Sequence, residues 1–414
     1  LWDRATGKPV HNAIMWMSKQ TDDIVREWSD RGLDDEFRKR TGVRNDSYFS
    51  AGKIVWLLRN VPGARERAER GELAIGTPDV WLLWNLTGGT AHRIEASAAS
   101  RTALLNIHTA SWDDELLHIL DIPCSLLPEV VPSVGVFGEV VSGVLPGSLT
   151  NSVPVTAMLG DQQAGLFGQA CLDEGTAKNS FGTAGVLTVN VGDQPLIMDG
   201  MSSSAAWNLG GKITYEAEGV VFHSGQTIQW LRDKMKLFAH ANEVEALANS
   251  VPDNGGVYLV PAFAGLCDPY WDRNAKAAVV GLTFETGAAH VARAGLESMA
   301  FQTRDNVDKL VAGGISIPSL KVDGGATRNN FLCQFQADIL GIPVVRPLDL
   351  ERTVLGIAHL AGAGVGLWSA DSISDRWALD RTFEPQMSAD KREEIYAGWQ
   401  DAVAAARNLP NRRG

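Results

Sequence analysis

Apolar residues in the first third of the chain recur at helical spacing. Ile24 and Trp28 share one face behind Thr21-Asp22-Asp23, a plausible cap, and Gly32 stops the run. Thr77-Pro78-Asp79 marks a second start, because Pro suits the first helical turn. Val80, Leu83 and Trp84 then fall on one face and Gly88-Gly89 ends it. Stripes of this kind predict core. From Val153 the pattern changes to short apolar runs. Val153–Leu159, Val186–Val191, 256–260 and 320–323 predict strands. A helix follows that carries Phe331, Phe335 and Ile339, then an Ala- and Gly-rich, closely packing helix over about 353–364, and a last one near 388–406. Strands alternating with helices imply an α/β fold.

The chain has 414 residues, which suggests two domains. The best boundary is the stretch from Gly168 to Gly175, giving units 1–170 and 171–410. No internal repeat or low-complexity tract is visible, and the tail from Asn408 to Gly414 is expected to fray.

A formal net charge of −12 argues against a nucleic-acid surface, which needs clustered Lys and Arg. Cys124, Cys171, Cys267 and Cys333 form no CxxC pair, so reduced thiols of a cytoplasmic protein are expected instead of a disulfide frame or zinc site. No apolar run reaches the length of a membrane span, and no signal peptide is apparent. The opening Leu1-Trp2-Asp3-Arg4-Ala5-Thr6-Gly7-Lys8 reads like the interior of a hairpin, so an N-terminal truncation is expected.

The chain lacks GxxxxGK[ST], a strand-linked GxGxxG and GxSxG, which sets aside P-loop enzymes and weakens a hydrolase reading. Three glycine-bearing turns remain. In Gly160-Asp161-Gln162-Gln163 a carboxylate at a strand end, beside a Gly that leaves room, is a candidate base in a cleft; alone it is equally a turn Asp. Gly182-Thr183-Ala184-Gly185 offers backbone N–H groups and a hydroxyl to a phosphate, or is simply a hairpin turn. Asp323-Gly324-Gly325-Ala326-Thr327-Arg328-Asn329-Asn330 joins a strand, a double Gly and a helix start, a pattern suited to anions and nucleotides.

With these turns in place the chain resembles the FGGY-type carbohydrate kinases, and within them the glycerol kinases. Tyr48 to Asn60 matches the family's first signature throughout, and Ala278 to Glu297 most of the second, with Gly295 in an unusual place. Ser100-Arg101-Thr102, Asn106-Ile107-His108-Thr109, Trp230-Leu231-Arg232-Asp233 and Pro269-Tyr270-Trp271-Asp272 are further matching phrases. The resemblance covers nearly the whole chain. It implies a two-domain fold of the actin and hexokinase type with the site in the cleft between domains. It implies transfer of the ATP γ-phosphate, with Mg²⁺, to a polyol hydroxyl, most simply of glycerol, and a possible homodimer or homotetramer. By resemblance Asp161 is the general base, Trp16, Tyr48 and Gln162 hold the polyol together with Asp161, and Thr183, Gly225, Gln229, Gly325 and Asn329 contact ATP. No residue is assigned to the metal.

The chain also departs from the family. An opening Asp-x-Gly-Thr-Thr and a later Arg-Glu pair are not in it, so the first domain is expected to be incomplete at its start. Val186, at a polyol-pocket position, stands where Phe is usual and would enlarge that pocket; Ala184 replaces a Gly, with a cost if its φ is positive. Cys267-Asp268 replaces Gly-Ala and is expected to bring a carboxylate near the phosphates; Arg328 replaces Ala. These changes leave two alternatives open: a kinase for another small polyol or sugar, and a nucleotide-binding protein with impaired catalysis.

Overall fold

A computed structural model of the chain describes residues 1–144 and 153–410. The part of the expected frayed tail from 411 onward lies outside them. The helices read from the sequence are present. Asp22–Asp30 buries Ile24 and Trp28, and Pro78–Leu86 buries Val80, Leu83 and Trp84. Ser50–Asn60, inside the first signature, buries Ile54, Val55, Leu57 and Leu58 in a core shared with Trp28 and Phe37. Among the described residues this first half contains only two-stranded sheets.

The second half is built on one seven-stranded sheet. Its order is Ser202–Leu209, Lys212–Val221, Gly185–Gly192, Ala177–Phe181, Leu320–Asp323, Val344–Pro347 and Leu379–Phe383. The helices Ala288–Ala312 and Asn330–Leu340 cover it, closing a core that includes Leu187, Val189, Leu296, Met299, Leu320 and Leu332. Two strands fix where a ligand goes. Ala177–Phe181 and Leu320–Asp323 pair in parallel, Ser180 opposite Asp323, so their carboxyl ends open on the same edge. In α/β sheets ligands bind outside the carboxyl ends of parallel strands.

The Ala- and Gly-rich helix Arg352–Gly364 packs against Asp161–Gly168 with backbone almost touching backbone. A Cβ on Gly168 would fall 2.0 Å from the carbonyl oxygen of Arg352, and one on Gly356 would fall 2.1 Å from that of Ala164. The close packing expected of this helix is therefore found, and only Gly permits it.

Candidate active site

Asp161 is the first residue of the helix Asp161–Gly168, four positions after the strand Val153–Ala157 ends, so it belongs to a helix start and not to the strand itself. Its side chain is exposed while Gln163 to Gly168 are buried. A carboxylate here is favoured by the helix N-terminus. Its Oδ1 accepts from the backbone N–H of Gln162 at 2.8 Å.

The turn before it is held from below. The N–H of Gly160 donates to Ser97 Oγ at 3.0 Å, and Ser97 is in turn bound through its N–H (2.8 Å) and hydroxyl to Glu95. Ser133 donates to the other Glu95 oxygen at 2.5 Å. Burial pushes the Glu95 carboxyl up to about 7, against the donors that favour its charged form. On the other side Gln163 donates to Glu216. Gln162 is placed by Lys178, a fully buried cation whose Nζ donates to Gln162 Oε1 at 2.6 Å and Ser180 Oγ at 2.9 Å.

The polyol-side residues form an aromatic wall. Trp16 meets Tyr48 edge-on with ring centroids 5.6 Å apart, and Phe222 lies 6.4 Å from Trp16. Val186 packs with Val220, Phe222 and Cys267, against which Tyr48 and Trp271 lean. Val186 is paired across strands with both Ser180 and Val220, which connects this wall to the Lys178–Gln162 arm beside Asp161. Beneath the wall Arg101 lies 5.7 Å from the Tyr48 ring and 5.1 Å from the Phe49 ring. It donates to Glu218 Oε1 at 2.5 Å and to Ser204 at 3.1 Å, tying the first half to the sheet. Burial raises the Tyr48 hydroxyl above its ordinary range.

The nucleotide-side residues come together through backbone. The N–H of Gly225 donates to the Gly182 carbonyl at 3.0 Å, and the N–H groups of Ser224 and Gln226 donate to the Thr183 carbonyl at 3.1 and 3.3 Å. Gly324 has φ +87°, and a Cβ there would sit 2.7 Å from the Phe181 carbonyl oxygen. The turns that carry Thr183, Gly225 and Gly325 thus meet at residues 181–183. Thr183, Gln229 and Gly325 are exposed. Asn329 caps the helix Asn330–Leu340, its Oδ1 accepting from Leu332 N–H at 2.9 Å. The turn at 182–184 joins antiparallel strands, so it is a hairpin turn as well as a free-edged loop.

Two expectations need correction. Ala184 is not among the residues with positive φ, so replacing Gly there carries no backbone strain. Asp268 does not lie among the phosphate turns. It is buried behind the aromatic wall, where its carboxylate accepts from Val220 N–H at 2.7 Å and Trp271 Nε1 at 2.5 Å. Burial raises it to about 8. Sequence reading missed Lys178, Glu216, Glu218 and Phe222 as site residues. Glu216 and Glu218 carried a signal, polar residues alternating inside a strand and pointing to the same face.

No group of three or more His, Cys, Asp or Glu that could hold a metal exists among the described residues. Asp161 makes no hydrogen bond beyond Gln162 N–H among them, which leaves one carboxylate oxygen open. That fits Mg²⁺, which is commonly held by one or two carboxylates together with substrate phosphates.

Comparison with known proteins agrees with this geometry. The N-terminal domain model of the FGGY family of carbohydrate kinases matches residues 1–168, and the C-terminal domain model matches 177–365. The chain is 50% identical over 410 residues to a glycerol kinase of Symbiobacterium thermophilum, covering 98% of this chain and 82% of that one. It is also 50% identical over 405 residues to a glycerol kinase of Halorhodospira halophila. The crystal structure of Plasmodium falciparum glycerol kinase with ADP superposes with a TM-score of 0.90 at 36% identity, covering 98% of this chain and 81% of that one. The chain belongs to the FGGY family of carbohydrate kinases, phosphotransferases with an alcohol group as acceptor.

Proposed function

We propose that this protein transfers the γ-phosphoryl group of ATP to a hydroxyl of glycerol, giving glycerol 3-phosphate. The observation that carries the reading is Asp161: an exposed carboxylate at a helix start, on a turn fixed from both sides, in a chain half identical to proteins named glycerol kinase. In this reading Asp161 orients the attacking hydroxyl and takes its proton. Gln162, held by Lys178, and the Tyr48 hydroxyl read the polyol's oxygens, while Trp16, Tyr48, Phe222 and Val186 shield its carbons. Thr183, Gly225, Gln229, Gly325 and Asn329 hold ATP at the place where the three turns meet. Mg²⁺, when bound, neutralises charge on those phosphates. The two units divide at about 170/171, and closure between them excludes water from the transfer.

A second reading, a different small polyol as acceptor, is favoured by Val186, a small side chain in the wall. A rate assay with MgATP and glycerol, dihydroxyacetone, erythritol or a pentitol decides between them. The first reading expects glycerol to give the highest kcat/KM. A preference for a four- or five-carbon acceptor overturns it in favour of the second.

A further inference from the structure

A cavity of about 160 Å³ lies between the first helices of the chain and the segment 198–201, lined by none of the residues assigned to polyol or nucleotide. It has room for roughly five waters, or a solute of three-carbon size, and is far too small for a nucleotide. Two groups on its lining, the Asn45 carbonyl oxygen and the Arg44 guanidinium, are unmatched, and the carboxylates of Asp34 and Asp199 stand beside them. Asn45 is 9% exposed. Its amide nitrogen is committed to the Val25 carbonyl (3.0 Å), Ser29 Oγ (3.1 Å) and Asp34 Oδ1 (2.9 Å). Its carbonyl oxygen is buried with no partner. Arg44 has no carboxylate partner among the described residues and rests its guanidinium 4.5 Å from the Trp271 ring centroid. Arg38, on the same lining, is by contrast matched, by Asp35 at 3.2 Å and Asp199 at 3.1 Å.

An unmatched guanidinium selects a phosphate or carboxylate, whose oxygens fit its fork of donors. A buried, unpaired carbonyl oxygen calls for a donor. We propose that this cavity binds a small anion carrying a hydroxyl group, the anion on Arg44 and the hydroxyl on Asn45 Oδ1. Trp271 connects the cavity to the cleft. It forms one wall here, donates to Asp268, and leans on the Val186–Phe222 cluster of the aromatic wall. A ligand here packs one side chain away from the acceptor wall. A phosphorylated three-carbon polyol has the required chemistry; that source rests on the glycerol reading above, whereas the site itself does not.

Calorimetry on the full chain tests this with sn-glycerol 3-phosphate, glycerate and inorganic phosphate as probes, in the wild type, Arg44→Gln, Arg44→Lys and Asp161→Asn. The expected result is binding of glycerol 3-phosphate or glycerate that weakens at least tenfold in Arg44→Gln, less in Arg44→Lys, and persists in Asp161→Asn. Which of the two binds tells phosphate from carboxylate. If Arg44→Gln melts early, Arg44→Lys carries the comparison. Binding kept at full strength in both Arg44 variants, whether or not Asp161→Asn alters it, places the ligand elsewhere and overturns the proposal. So does no binding by either organic anion, or equally tight binding of inorganic phosphate.

Discussion

The two sides of the cleft are built by different means. On the nucleotide side, the turns at 182–185, 224–226 and 324–329 are held to one another by main-chain hydrogen bonds and by glycines with no room for a Cβ. On the acceptor side, Trp16 and Tyr48 reach the Val186–Phe222 edge of the sheet only through side chains, over the buried polar groups Glu216, Glu218, Asp268 and Lys178 and the partly buried Arg101. A site made of backbone tolerates change in side chains and not in glycines. A site made of side chains changes its specificity by single substitutions, and its stability depends on the charges beneath it.

The largest expected effect falls where the two sides meet. Asp161→Asn keeps the shape and removes the proposed base, and should lower kcat by about 3–5 kcal/mol of transition-state stabilisation with both KM values little changed. Turnover near the wild type would remove Asp161 from the mechanism. Arg101→Met strikes the acceptor side alone. It leaves the Glu218 carboxylate buried without its cation, and such a loss costs about 3–5 kcal/mol of stability. Denaturant unfolding should show that loss, and the acceptor KM should rise while the ATP KM holds. Equal rises in both KM values would erase the distinction between the sides.

Gly324→Ala is the converse. A residue at φ +87° with a Cβ 2.7 Å from the Phe181 carbonyl oxygen carries about 1–3 kcal/mol of strain. The ATP KM should rise several-fold and the acceptor KM should not, as initial rates against each substrate will show. The smallest effect is on pH dependence. Glu95, ordinarily 4.5, is raised to about 7, and Asp268, ordinarily 3.8, to about 8, in both cases first by burial. Glu216 is raised as well, by burial and then by Glu218. The folded chain holds these protons where the unfolded chain has released them, so stability falls as pH rises from about 4 to about 8. The contribution of these groups to the melting temperature should decline across that range, and Glu216→Gln should change the pH profile by removing its share; a profile unchanged in the variant would exclude Glu216 from the set.

The same contrast separates what the sequence shows from what it hides. Pro78 and Thr21 mark helix starts because such signals are local, although the Thr21 hydroxyl makes no capping bond, and the glycines of 324–325 announce a tight turn for the same reason. The acceptor side is harder to read. Arg101 and Glu218 are 117 positions apart, and Gln163 and Glu216 are 53 apart. Nothing in the local pattern around Lys178 says that it reaches Gln162, since a Lys within a strand is ordinarily solvated. Asp268 was misplaced because its neighbours in sequence belong to a loop, whereas its hydrogen-bond partner Val220 lies at the far end of a strand.

The seam between Gly168 and Gly356 has a consequence for how the chain is made. Arg352 donates to the carbonyl oxygen of Gly168 from 184 residues away. At roughly 5–20 residues per second, synthesis leaves the 161–168 helix waiting about 10–40 s for its partner. During that interval the face of the Asp161–Gly168 helix around Ala164 and Gly168 is without the backbone that covers it in the folded chain. Final packing of the helix that begins at Asp161 is thus tied to arrival of a late segment.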